Sequence, residues 1–436
     1  MFIIYSSIFI YLLVLIIIGF ISNRYINDEI DFLLAGRRLK LFYLTFTLAA
    51  THFGGGFITG SIEYSIIYGI KGGIWYGLSC GIGLILLSFI SHELRGLSLF
   101  TAPEYLEKRY NSKFIKIFAT FTSLIALIGI LAAQIIATAK LLAIFHINPV
   151  LGSSIATIIF IIYTYYGGMW AATITDAFQL SIALILIFIL TYLAYDSSVI
   201  VHSHLHAKHI GNLKIIGIVF PTIMYTLIGQ DFYQRLFSAK DPTTASRASL
   251  LSGLLLCFVT IFPVIIGLSL TQYGSTLTDA FEGFFKKTPS VIGAMFIIIM
   301  LAAIMSTADS VLTAASSHIV KDIFGEFKKI KFNPLKLSKL SVLIVGLFSL
   351  ILSFFLPTII DALVFSYTIY TASIFFPLVL GFFWKNGQKN AAIFSMLIST
   401  IIVLTGYFFN PTEIPLEIFG GLVSLFFYIL LSLIKL

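Results

Sequence analysis

Runs of about 20 predominantly apolar residues, each long enough to cross a bilayer as a helix, recur along almost the whole chain. They can be marked off thirteen times, near 2–22, 42–70, 74–94, 115–143, 148–166, 170–195, 213–233, 248–272, 290–317, 338–357, 359–384, 388–409 and 414–434. A backbone in hydrocarbon must satisfy its own polar groups, so these runs read as helices. Charged residues are 11% of the sequence, where a soluble domain averages about 25%. No hydrophilic block between the runs is long enough for a soluble domain. The reading is an all-α integral membrane protein with about 13 transmembrane helices, residues 1–436 forming one transmembrane unit.

Charge placement fixes an orientation. No Lys or Arg precedes the first run and no small-residue cleavage site follows it, so it reads as a retained span rather than a signal peptide. With the N-terminus outside, Lys71, Lys208, Lys214, Lys286 and Lys287 fall in outer connections and Lys140 within a span. The other 21 of the 27 Lys and Arg fall inside. By the positive-inside rule this supports thirteen spans and a cytoplasmic C-terminus. The net charge of +8 is then an orientation signal, and the partner it implies is the lipid bilayer, with no need for nucleic acid. Ile, Lys, Phe and Asn usage points to a bacterial inner membrane. Cys80 and Cys257 lie in apolar runs and suggest neither a disulfide framework nor a metal site.

Polar residues inside spans are the functional candidates. In the ninth run, "LAAIMSTADSVLTAASSHIVKDIF", Ala303, Ser306, Thr307 and Ser310 share one helix face, with Asp309 beside it. Hydroxyls there can bond back to their own helix or to a neighbour. Together with freed backbone carbonyls they would form a hard-oxygen site for Na⁺. The second run, "LAATHFGGGFITG", is broken by Gly54, Gly55 and Gly56, which would free carbonyls near Ala50 and Phe53. Close helix packing through small residues is the alternative. At 1.5 Å per residue, Ala50 and Ser306 lie roughly 14 and 18 Å from the same surface, so the two breaks in regularity can meet. Asp176, two turns after the "YYGG" turn, would serve a second cation or pair with a basic inner loop. Gly229, Gln230 and Asp231 interrupt the seventh run; Gln230 reads as lining the solute path, and Asp231 with Arg235 as an inner-surface salt bridge. Interruptions in runs 2 and 7 are the signature of an inverted five-plus-five repeat.

At these residues the chain resembles the sodium/solute symporter family, which has the leucine-transporter-like fold. The motifs are "ATHFGGGFITG", "YYGGMWAATITDAFQ", "QDFYQRLFSAKD" and "IMSTADSVLTAASS", in order. The resemblance runs over residues 32–384 and implies a core of spans 2–11. Residues 1–31 would then hold a peripheral first span and inner loop, and 385–436 two peripheral spans. It implies a sodium site formed by Ala50, Phe53, Ala303, Ser306 and Thr307. Some members carry a further sodium site, which would fall on Asp176, Ser306, Asp309 and Ser310. The opening motif is closer to the form of choline-transporter-like members than to that of proline symporters. Ala133 and Gln134, however, stand where a choline cage would need a tryptophan, so choline is not supported. His52, Phe57, Glu63, Gln134, Tyr225 and Gln230 are the expected solute contacts, with the outer mouth as the alternative place for Glu63.

The expected function is sodium-coupled import of a small organic solute by alternating access. A transporter-like sensor module is the rival, and would need a separate signalling partner. A passive channel would carry ions without a solute. No HExxH or Ser/His/Asp arrangement marks an enzyme. His202, His204, His206 and His209 in one outer loop read as a metal- or pH-sensing tract or as a solvated loop.

Overall fold

Helix starts follow the sequence. Asp241, Asn148 and Asn333 each accept a hydrogen bond from a first-turn backbone N–H, and each is followed by a proline, the residue best tolerated at a first helical position. The computed structural model describes residues 2–143, 145, 147–326, 333–356, 359–409 and 414–434. The inner-loop lysines Lys328, Lys329 and Lys331, and Lys435, lie outside the described residues. The principal helices are α1 (Phe2–Ser22), α2 (Leu41–His52), α3 (Gly56–Gly96), α4 (Lys113–Ala143), α5 (Pro149–Ala194), α6 (Asn212–Ile228) and α7 (Gln230–Ser238). They continue as α8 (Pro242–Leu270), α9 (Ser290–Ser317), α10 (Pro334–Ser353), α11 (Ile359–Phe383), α12 (Lys389–Phe409) and α13 (Leu416–Leu433). No strand occurs among the described residues.

Among the described residues ten helices are long and apolar enough to cross a membrane, or eleven if α6 and α7 form one bent span. This differs from the thirteen runs of the sequence because α3 and α5 are each continuous through two of them. They are 41 and 46 residues long, about 60 and 70 Å at 1.5 Å per residue, roughly twice a bilayer core. Each contains one glycine with a positive φ, Gly69 at 65° and Gly168 at 48°. Gly69 falls at the end of the expected run 2, and Gly168 between runs 5 and 6. Gly168 has no substitute: a Cβ there would stand 2.5 Å from the Phe32 carbonyl oxygen.

The centre of the molecule is α9. Of its most apolar stretch 78% is buried, against 22% for α1. It packs on α5 and α4, while α3 packs most extensively on α8. The first helix lies against α5 and α9, and α12 and α13 pack on each other and on α11. Two interruptions face this centre. One separates α2 from α3 at Phe53–Gly55, and the other separates α6 from α7 at Gly229, where the chain bends by 41°.

Candidate functional site

The break after α2 is local in origin. Phe53 still donates its N–H to Ala49 O at 2.9 Å, but its ψ of 49° leaves the helical region, and Gly54 N turns back to His52 O at 2.7 Å. The loosened carbonyls meet the hydroxyl face of α9. Ser306 Oγ donates to Ala50 O at 3.2 Å and to Ala303 O at 3.1 Å. Thr307 Oγ1 donates to Thr51 O at 3.2 Å and to Ala303 O at 3.4 Å. Two hydroxyls and three carbonyl oxygens are thus linked in one chain between a broken helix and the central one. A hard monovalent cation prefers such a set, and unwound backbone is tolerated at membrane depth where, as here, it is buried in protein or lines a cavity. Of the expected ligands, Ala50, Ala303, Ser306 and Thr307 come together. Phe53 stands at the break, but the carbonyl that Thr307 reaches is that of Thr51, which sequence reasoning missed; only the direction of the break shows it. Gly54 is what admits Thr307: a side chain at residue 54 would overlap the threonine hydroxyl.

One turn along α9 lies a charged cluster. Arg235 is fully buried, and its side chain reaches Asp176 at 3.3 Å rather than the membrane surface. Its Nε donates to Thr47 Oγ1 at 2.8 Å, and one terminal nitrogen donates to Ser310 Oγ. Thr47 Oγ1 in turn donates to Asp176 Oδ2 at 2.5 Å. Thr175 Oγ1 donates to Asp309 Oδ2 at 3.2 Å, and Ser310 Oγ to Asp309 Oδ1 at 3.3 Å. The expected surface pair of Asp231 with Arg235 is therefore corrected: the only bond between them runs from the guanidinium to the Asp231 backbone carbonyl at 3.0 Å. Two buried carboxylates share one guanidinium, and Asp176 Oδ1 is buried without a hydrogen-bond partner among the described residues. Ser306, expected here as well, is turned to the first site.

A narrow cavity of about 50 Å³ adjoins both interruptions. Its lining includes Thr51, Gly54 and Thr307 beside the first interruption and Asp231 beside the second, together with His52, Phe57, Gln134 and Tyr225. His52, Phe57, Gln134 and Tyr225 are thus brought together as expected. Thr226 gives its one hydroxyl proton to Thr222 O at 2.7 Å. His52 Nε2, 2.8 Å from Thr226 Oγ1, is therefore the donor of that pair. Gln134 Oε1 accepts from Gly55 N at 3.3 Å and so braces the break. Aromatic walls are present, but they come from Phe57 and Tyr76 of α3, Tyr225 of α6, Phe232 of α7 and Tyr367 of α11, whereas α4, on which a choline cage would need a tryptophan, contributes Ile130 and Gln134.

Two expected contacts lie elsewhere. Glu63 is half-buried in α3 beyond the cavity, within electrostatic reach of Lys140. Gln230 is spent on structure: its Oε1 accepts from Ala102 N at 2.8 Å, and its Nε2 donates to Phe100 O at 3.0 Å and Ser317 Oγ at 2.9 Å. Helix geometry explains the exchange, because the bend at Gly229 turns Asp231 to the cavity and Gln230 away from it. Beside Gln230, His318 Nδ1 pairs with Asp322 at 2.7 Å, and its Nε2 lies 2.8 Å from Ser123 Oγ. This is a Ser/His/Asp arrangement that the sequence did not reveal. All three are buried and none lines the cavity, so it reads as a latch between α4 and the segment that continues α9. The outer histidines are not all in a loop: His202 and His204 belong to a short helix, Ser197–Leu205, and the His202 and His206 rings stack at 4.1 Å. Among the described residues no group of three or more His, Cys, Asp or Glu is placed to hold a metal.

Comparison with known proteins agrees with this arrangement. The chain is 26% identical over 401 residues to the high-affinity choline transporter 1 of Drosophila melanogaster, covering 81% of this chain and 62% of that protein. It is 23% identical over 431 residues to the osmoregulated proline transporter OpuE of Bacillus subtilis, covering 91% and 87%. Among solved structures, a substrate-bound, outward-open Na⁺-coupled sialic acid symporter superposes with a TM-score of 0.85 at 19% identity, over 99% of this chain and 97% of the other. A nucleobase-cation-symport-1 family transporter in a closed conformation superposes at 0.63 and 13% identity, over 92% of each. The family model for sodium:solute symporters matches residues 32–399, from the segment before α2 into α12. The two broken helices and the central helix between them lie inside that match, and the chain belongs to the sodium:solute symporter family.

Proposed function

We propose that the protein is a sodium-coupled secondary transporter that imports a small organic solute by alternating access. The observation that carries this reading is the meeting of the Ser306 and Thr307 hydroxyls with the Ala50, Thr51 and Ala303 carbonyls beside a cavity. Sodium held by Ala50, Ala303, Ser306 and Thr307 would tie α2 to α9, with Phe53 completing the set that family resemblance implies. The ion biases the conformational balance only by its differential affinity for the two states. His52, Phe57, Gln134, Tyr225 and Asp231 line the solute site in this reading.

Several finer points belong to the same proposal. Gly69 and Gly168 divide α3 and α5 into two spans each, giving thirteen with the α6–α7 pair. Residues 32–384 form the symporter core, with α1, α12 and α13 peripheral. The N-terminus is outside and the C-terminus cytoplasmic, in a bacterial inner membrane. No catalytic role is assigned. The Arg235 guanidinium already fills one cation's place beside Asp176 and Asp309, so that cluster takes at most one further monovalent cation, a second sodium or a proton.

Thermal unfolding of the purified protein in Na⁺ and in K⁺ tests the core of this reading. A ligand at a hundred times its Kd stabilises by about 2.7 kcal/mol. Stabilisation by Na⁺ alone, lost in Ser306→Ala with Thr307→Ala, is the expected result. An equal response to both ions, or one untouched by the double substitution, would rule the site out.

A further inference from the structure

We propose that the solute carries an ammonium group and that the carboxylate of Asp231 recognises it. The proposal rests on the symport reading of the cavity and narrows its solute class.

Asp231 lies in the first turn of α7, is 2% exposed and lines the cavity. Among the described residues no Lys, Arg or His nitrogen forms an ion pair with it. The nearest cation in sequence, Arg235, is committed to Thr47, Asp176 and Ser310, and touches only the backbone carbonyl of Asp231. His52, also on the cavity wall, gives its Nε2 proton to Thr226. One side-chain donor reaches the carboxylate, the Tyr225 hydroxyl at 3.1 Å. The N-terminus of α7 adds partial positive charge, but no full countercharge.

A carboxylate removed from water without a cationic partner is strongly disfavoured. Among the described residues no cation pairs with it on the protein side, Arg235 acting on it only through space, so the partner is drawn from the cavity. The walls suit the same ligand. Tyr225 and Phe232 meet at 75° with ring centroids 6.2 Å apart, and Phe57 and Tyr76 close the cavity from α3. Aromatic faces attract cations, and ammonium groups in particular. Among the described residues no Lys or Arg lines the cavity, so a solute whose only charge is negative would meet Asp231 with only the sodium beside Thr307 to offset the repulsion. A neutral polyol would leave the carboxylate uncompensated. Both other charge classes are thereby disfavoured by the same residue.

The test is thermal unfolding in saturating Na⁺ with ethanolamine, L-alanine, D-glucose or pyruvate added, on wild type, Asp231→Asn and Asp231→Glu. An ammonium-bearing probe should raise the melting temperature beyond Na⁺ alone, and glucose and pyruvate should not. Asp231→Asn should weaken that binding about thirtyfold or more, the scale of losing one partner of a buried charge pair, and Asp231→Glu should restore part of it. Both variants should keep the sodium response, which shows that they fold. Binding of glucose or pyruvate instead, no response to either ammonium compound, or an unchanged ammonium response in Asp231→Asn overturns the proposal. A wild type that ignores Na⁺ altogether would overturn the symport reading, a separate outcome read from the same experiment.

Discussion

The hydroxyl of Thr307 occupies the space in which a side chain on residue 54 would begin, so α9 can touch the broken end of α2 only because Gly54 has no Cβ. The same hydroxyl donates to Thr51 O at 3.2 Å. Gly54→Ala should push the two helices apart and remove Thr307 from the oxygen cluster. Overpacking of this kind costs about 1–3 kcal/mol. The expected outcome is a lower melting temperature in K⁺ and a loss of most of the extra stabilisation by Na⁺. A Gly54→Ala protein with a normal sodium titration would show that Thr307 is not a ligand.

Arg235 ties three helices through Thr47, Asp176 and Ser310. Removing one partner of a buried pair costs about 3–5 kcal/mol, because the remaining charge is stranded. Arg235→Met should therefore unfold well below wild type, and Arg235→Met with Asp176→Leu should recover much of the loss. Equilibrium unfolding of the two single variants and the double variant gives the coupling directly; additive losses would mean that the pair contributes no coupling.

Gly168 separates the two halves of α5 with a φ of 48° and its Cα against the Phe32 carbonyl. Gly168→Ala imposes backbone strain of about 1–3 kcal/mol besides the clash with Phe32. Thermal unfolding should show a clear drop, whereas an alanine tolerated without loss would mean that the turn can relax.

His318 joins Asp322 to Ser123 in a buried chain, and Thr101 donates to the other Asp322 oxygen at 2.8 Å. His318→Ala leaves Asp322 short of a donor, a deficit of about 1–3 kcal/mol. If the chain is a latch, labelling of a cysteine introduced at the Ser317 end of α9 should become faster in His318→Ala. Labelling at the wild-type rate would reduce His318 to a packing residue.

Most of the fold could be read from the sequence because hydropathy and glycine carry it. The runs, the break at Gly54–Gly56 and the turn at Gly168 are local signals. The α9 face was legible for the same reason, since Ala303, Ser306 and Thr307 follow from helical spacing alone. What could not be read depends on direction after a break. Gln230 and Asp231 are neighbours, and only the 41° bend at Gly229 decides which one meets the cavity. Arg235 looked like a loop charge near a span end, because its partner Asp176 is 59 residues away and nothing local announces the pairing. Ser123 and His318 of the Ser123–His318–Asp322 chain lie 195 residues apart in sequence, and the chain has no periodic signature.

The guanidinium beside Asp176 has an electrical consequence. A diffusible ion in that place would be released on the far side of the membrane and would count in the current. Arg235 is tethered to the backbone and returns with every cycle, so it balances the carboxylate without delivering charge. The charge moved per turnover is then set by the ions that leave and by the solute itself. Each elementary charge crossing the full membrane field is worth about 2.3 kcal/mol per 100 mV. An ammonium solute with no negative group would add its own unit to that of sodium, making uptake driven by voltage at least as much as by the sodium gradient.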